Sequence, residues 1–303
     1  MMTKVMQNKH LEHPEDSILT GDLSVLDWFH EGDSIISTKM DGAPAIVWGT
    51  NPANGKRFVG TKSVFNKVKI KINHNHQEID ANHSGELAKI LHAAFDYLPP
   101  TSSIIQCDFI GFGGDDTFTP NTITYQFPEV IHQKIIVAPH TIYGGGDDLR
   151  NVIASPLNSK LISTNDCLFV QPEVSLNPYR EDLEDVCKFA KQMSTLCEFV
   201  TPAKASKIKK VINTCIREEI PILEDLIAEK CDCDINLIRL WKLVASIKED
   251  MFMFIDEDDD IVCFIDDELS LHEGYVITNK FGMFKIVDRC EFSHANFKMG
   301  IGN

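Results

Sequence analysis

Between Ser34 and Ile72 short apolar and polar runs alternate, and they are rich in β-branched and aromatic residues. Four stretches, DSIISTK, APAIVWG, KRFVGTKSVF and KVKIKIN, read as strands of a hairpin-rich antiparallel sheet, with the turn residues of NPANGK between the second and third. In the last stretch Lys67, Lys69 and Lys71 share one face, while Val68, Ile70 and Ile72 share the other. The lysine face is either an ordinary solvated surface or the phosphate-facing wall of a groove.

The period changes at SGELAKILHAAFDYL, which predicts a helix over 84–97 with Ser84 as N-cap and Pro99 as its stop. Strand texture resumes in SSIIQCDFIGF, NTITYQF and KIIVAPHTIY. After Arg180 the spacing is helical again: EDLEDVCKFAKQMSTLCEFV, KASKIKKVINTCIREEI and DINLIRLWKLVASIKED, the last capped by Asp234. DIVCFID, EGYVIT and GMFKIVDR return to strand. The class is therefore α+β: an antiparallel-sheet core in two segments, 1–180 and 266–303, split by a helical insertion over 181–265.

Composition narrows the function classes. A formal charge of −16 argues against a generic nucleic-acid coat. Clustered lysines still occur at Lys204, Lys207, Lys209 and Lys210, as either solvated helix surface or a contact for nucleic acid. The acidic runs DEDDD at 256–260 and DDE at 266–268 read as exposed loops, with a cation site as the alternative. The nine cysteines form no Cys-x-x-Cys pair, and Cys231 and Cys233 lack neighbouring ligands for zinc. His74, His76 and His83 fall in a polar segment that reads as a loop, with a metal site as the alternative. No stretch reaches the ~20 apolar residues of a membrane span, and the first residues lack the apolar core of a signal peptide. A cytoplasmic protein with no membrane partner is expected.

Four short elements carry ionisable groups at strand ends or turns: KMDG at 39–42, QCDFIG at 106–111, EGYVIT at 273–278 and FKIV at 284–287. Lys39 is either part of an ordinary turn or a nucleophile, and Gly42 and Asp41 suit a tight turn that aims it. In their order these elements resemble the nucleotidyltransferase superfamily of ATP-dependent DNA and RNA ligases and messenger-RNA capping enzymes. KMDG looks like the Lys-x-Asp-Gly nucleophile motif, GTKS at 60–63 like the element after it, and CDFIG like the acidic third motif. EGYVIT looks like the fourth motif and MFKIV like the fifth; QKIIVAPHTIY occupies the place of the strand between the third and fourth. The layout is similar to phage-type RNA ligases, in which the fold is an ATP-grasp-like ligase adenylation domain.

The resemblance implies that Lys39 takes AMP from ATP, passes it to a 5′-phosphate and lets a 3′-hydroxyl displace it, on RNA in preference to DNA. It implies Lys39 and Lys285 as catalytic, and Thr38, Asp41, Gly42, Lys62, Asp108, His140, Glu273 and Lys285 as nucleotide-binding. Asp108 and Glu273 would hold Mg2+ or Mn2+ as hard oxygen ligands. Lys67, Lys69, Lys71 and the 204–210 lysines would contact the nucleic acid. Phosphoramidate chemistry needs a neutral amine, whereas an ordinary lysine titrates near ~10.4, so a cation, a second lysine and burial must disfavour the ammonium.

Departures from the family pattern are Pro44 for the arginine of the first motif, Asp108 for glutamate, Thr278 for lysine and Met283 for the first lysine of the fifth motif. The 18 residues after Lys285 leave no room for the OB-fold domain that closes capping enzymes, which disfavours that activity. Two other readings remain open: a degenerate fold that binds nucleotide or a partner without chemistry, and a structural protein in which the motifs are accidental.

Overall fold

The strands that read clearly in the sequence form, but they are dealt out to different sheets than a run of hairpins would give. A computed structural model describes residues 11–177 and 181–289. The main sheet carries the strands Arg57–Gly60, Ala45–Thr50, Ile104–Phe112, Ile135–Gly144 and Ile153–Pro156 in that order, all antiparallel. Cys167–Phe169 adds a short parallel pairing to Ile135–Gly144.

Alternation along these strands sends side chains to two faces. Ile105, Cys107 and Phe109, with Ile46, Trp48, Ile135 and Val137, pack under the helix Gly85–Tyr97 through its Ala88, Ile90, Leu91 and Ala94. The intervening positions Gln106, Asp108, Ala138 and His140 therefore face away from that helix and border a cavity. Ser84 takes the N-cap position without a side-chain cap, and Leu98 ends the helix just before Pro99.

A second, three-stranded antiparallel sheet has Gly274–Asn279 at its centre, flanked by Ile35–Lys39 and Gly282–Ile286. The strand ending in Lys39 thus pairs not with Ala45–Thr50 but with a segment more than 200 residues away, so the KMDG turn is a crossover between sheets and not a hairpin. Tyr275, Ile277, Phe284 and Ile286 bury one face in a core shared with the helices Glu181–Ser194, Pro202–Arg217, Glu224–Cys231 and Ile235–Met251. The N-terminal residues Ile18, Leu19, Val25, Leu26, Trp28 and Phe29 join the same core. The helices after 181 are accordingly not a free-standing module, since their apolar stripes are buried against strands of the closing segment.

The segment bounded at 265 is α-helical only to Met251, and the strand read in DIVCFID forms within it. Ile255–Asp258 is a strand paired with Glu173–Leu176, and Val262–Ile265 pairs with Thr124–Gln126 in a small sheet that also holds Thr117–Phe118 and Glu268–Ser270. The run at 256–260 is therefore not a simple exposed loop, whereas Asp266 and Asp267 do form an exposed turn. Asp266 and Asp267 adopt positive φ in the tight turn between two of these strands, a conformation that short polar side chains tolerate. The boundary at 180 lies outside the described residues, as do Cys290 and the rest of 290–303.

Three local readings fail. KRFVGTKSVF is a strand only over Arg57–Gly60, and Lys62–Phe65 is a short 3-10 helix. KVKIKIN does not form a strand: Lys69 is left-handed at φ 57°, Val68 is 76% exposed, and only Asn73 bridges to Val59. With no pleat, Lys67, Lys69 and Lys71 do not build a common basic face; Lys71 donates to the Asn82 carbonyl at 2.6 Å. The polar segment with His76 is a helix, His76–Asn82, whose N-cap Asn75 accepts from the Glu78 amide.

A buried charge network ties the N-terminus to the helices. Glu15 accepts from Lys248 and from Arg289, each at 2.9 Å, and Asp16 accepts from Arg289 at 3.1 Å and from Trp241 at 3.0 Å. Arg289 also bonds Asn213. Among the described residues no helix is long and apolar enough to cross a membrane.

Candidate functional site

The two sheets face each other across a cavity of about 650 Å3, within the ~300–1,000 Å3 usual for small-ligand sites. The register explains who reaches it. Ser37 lies opposite Val276, which lies opposite Lys285, while Lys39 lies opposite Gly274. Ile35, Ser37, Lys39, Val276, Met283 and Lys285 border the cavity, whereas Tyr275, Ile277, Phe284 and Ile286 point into the helical core. Gln106, Asp108 and His140 supply the opposite wall, with Lys62 beside them.

Lys39 forms an ion pair with Glu273, and both side chains are mostly shielded from solvent. Burial pushes the Glu273 carboxyl above its usual range, opposed by the field and hydrogen bond of Lys39. Burial, reinforced by the charge of Lys39, holds the Lys285 amine below its ordinary value. Gly274 permits this packing: a Cβ there would sit 2.0 Å from the Ile286 carbonyl oxygen, and its φ is +140°. Gly42 permits the turn to lie on the neighbouring strand, since a Cβ would come within 2.8 Å of the Asp108 Cβ. The turn is fastened there by Ala43 N to Phe109 O and Phe109 N to Pro44 O, at 3.0 and 3.1 Å.

On the far wall, Tyr143 donates to Gln106 at 2.6 Å, and the Gln106 amide nitrogen lies 3.3 Å from His140 Nε2. Since an amide nitrogen donates, that contact needs a lone pair on Nε2 and puts the proton on Nδ1, 2.7 Å from Thr141 Oγ1. Asp108 lies 3.5 Å from His140 Nε2, so a protonated ring would pair with it.

Of the expected site residues, Lys39, Gly42, Lys62, Asp108, His140, Glu273 and Lys285 come together around one cavity. Asp41 and Thr38 have other partners. The Asp41 carboxylate accepts from Asn121 and the amides of Thr122 and Ile123, at 2.8, 2.8 and 3.1 Å, and is buried. It fixes the turn to the 121–123 loop and does not border the cavity. Thr38 borders the cavity, but its hydroxyl donates to Glu257 at 2.6 Å on the other side of its strand. Lys67, Lys69 and Lys71 do not border the cavity.

The 204–210 lysines lie on Pro202–Arg217, where Lys204 pairs with Asp232 and Lys209 with Glu12, leaving Lys207 and Lys210 as the exposed pair. Neither Cys231 and Cys233 nor His74, His76 and His83 belong to a group of three potential metal ligands among the described residues.

Sequence reading missed further neighbours of the lysines. His13 is half-buried near them, and desolvation, then the charges of Arg289 and Lys285, drives its imidazole to the neutral form. The backbone amide of Lys285 donates to Glu12 O at 3.2 Å, so the N-terminal segment covers the open edge of the last strand. Lys160, paired with Glu173, sits at the rim of the cavity. None of these contacts has a local signal, because each joins segments far apart in sequence.

No curated protein and no solved structure gives a significant match to the chain. A model of a family of unknown function, DUF6267, matches residues 8–232 and 223–300, and the chain belongs to that family.

Proposed function

We propose that the protein is an ATP-dependent polynucleotide ligase, acting on RNA in preference to DNA through a lysyl-AMP intermediate on Lys39. One observation carries the reading: the residues matching the first, third, fourth and fifth motifs, Lys39, Asp108, Glu273 and Lys285, border the same cavity although they span 247 positions of the chain. Its donor set suits a nucleoside triphosphate. Lys62 and Lys285 would meet phosphate oxygens, and Asp108 and Glu273 would hold Mg2+ or Mn2+ as hard oxygen ligands. Lys39, once its ammonium proton has passed to water, would attack the α-phosphorus as the bond to pyrophosphate breaks, and a divalent cation held by Asp108 and Glu273 would offset the charge that builds on the phosphate. AMP would pass from Lys39 to a 5′-phosphate, and a 3′-hydroxyl would displace it.

The alternative is a nucleotide-binding or partner-binding module on the same framework. The Lys39–Glu273 pair favours it, together with Pro44, Thr278 and Met283 at positions where the resemblance calls for cations. Incubation with α-labelled ATP, and GTP in parallel, with Mg2+ or Mn2+ separates the two. The ligase reading expects a covalent adduct of AMP mass on the wild type and none on Lys39→Ala after a denaturing gel. No adduct from protein free of bound AMP rejects it in favour of the binding module.

A further inference from the structure

On the other face of the Lys39 strand, Glu257, Asp259 and His272 bring two carboxylates and an imidazole together, with ligand atoms within 4.8 Å of one another. His272 Nε2 lies 2.8 Å from Asp259 and 3.9 Å from Glu257, and the three side chains are 5%, 13% and 15% exposed. We propose that these residues form a structural site for a divalent cation of the zinc or manganese type, separate from the cavity around Lys39.

Two carboxylates converge on one imidazole in a largely shielded place, a concentration of negative charge that a divalent cation would offset. Donor chemistry points the same way, since one nitrogen with two carboxylate oxygens suits zinc or manganese better than a calcium cage of oxygens alone.

Each ligand is also held by an outer partner, the arrangement that orients metal ligands. Glu257 accepts from Thr38 at 2.6 Å and Tyr275 at 2.8 Å, and Asp259 accepts from the Ile261 amide at 2.8 Å. His272 Nδ1 lies 3.5 Å from Cys263 Sγ, which leaves Nε2 aimed at the carboxylates. An ion has a way in, because Asp259 borders a second cavity of about 410 Å3 with Phe127, Asp258 and Ile261. The consequence is positional. Thr38 precedes Lys39 and His272 precedes Glu273, so the cation would fix the backbone on both sides of that ion pair.

The test uses metal alone, without nucleotide. Chelator-stripped full-length protein is titrated with Mn2+ by electron paramagnetic resonance and with Zn2+ by imidazole nitrogen NMR. The proposal expects one tight equivalent, a shift of the His272 Nε2 resonance, and loss of binding in Asp259→Asn and in His272→Gln. The double variant Asp108→Asn/Glu273→Gln should keep it, which separates this site from the nucleotide cavity. Wild type that takes up neither metal, Zn2+ that leaves His272 unshifted, or a tight equivalent lost in the Asp108/Glu273 variant overturns the proposal. The wild-type titration decides even if a ligand variant fails to fold.

Discussion

Lys39 Nζ donates to Glu273, joining the last residue of one strand to the residue just before its partner strand, 234 positions away. The pair closes the register of the small sheet and presents one amine and one carboxylate to the cavity. Lys285 reaches the same space from the third strand, two ladder positions along.

A double-mutant cycle over Lys39→Ala and Glu273→Gln should give a coupling of about 1–3 kcal/mol in urea unfolding, the range for hydrogen bonds to charged groups in shielded sites. Additive effects would mean that the pair contributes nothing to folding.

The depressed amine of Lys285 has a definite pH signature. Its folded value lies below its unfolded one, so the unfolded state binds more protons between the two. Wild type carries the full cost of a buried ammonium below the folded value and sheds it as pH rises toward the unfolded value. Stability of wild type relative to Lys285→Met should therefore improve from neutral pH toward about pH 10, near the ordinary lysine value. A pH-independent difference in urea midpoint contradicts this.

Glu15 is fully buried between Lys248 and Arg289. Replacing it by Gln removes the ion pair of Lys248 and leaves Arg289 to Asp16, and should cost about 3–5 kcal/mol, the usual penalty for breaking a buried pair from one side. Thermal or urea denaturation that moves by less than about 1 kcal/mol would show the cations relaxing to solvent.

On the helix Pro202–Arg217, Lys207 and Lys210 are exposed whereas Lys204 and Lys209 face carboxylates. If this face meets RNA, Lys207→Ala with Lys210→Ala should weaken RNA binding and reduce its salt slope by about 1–2, with self-adenylylation unchanged. Unchanged affinity and slope would remove this helix from the interface.

Elements with a strong local period are legible in the sequence. Ile104–Phe112 and Ile135–Gly144 follow their β-branched runs, and Ile235–Met251 begins after Asp234, whose side chain accepts from the Asn236 amide. Where local pattern and tertiary context disagreed, context won. The alternation of KVKIKIN met no partner strand beyond Asn73, while the Asn75 and Glu78 cap in the following polar segment started a helix.

The sequence by itself determined which chemistry the chain carries: two lysines and two acids, each at the end or edge of a strand, and an apolar period sufficient for an α+β core. Only the tertiary structure decided which of them meet. Local pattern specifies what a segment can become and which face it buries, but nothing local records that Lys39 pairs opposite Gly274 instead of joining a hairpin. Nor does it record that Glu15 finds Lys248, or that Glu257, Asp259 and His272 converge behind Thr38. Those meetings follow from burying two faces of two sheets at once, a condition on the whole chain.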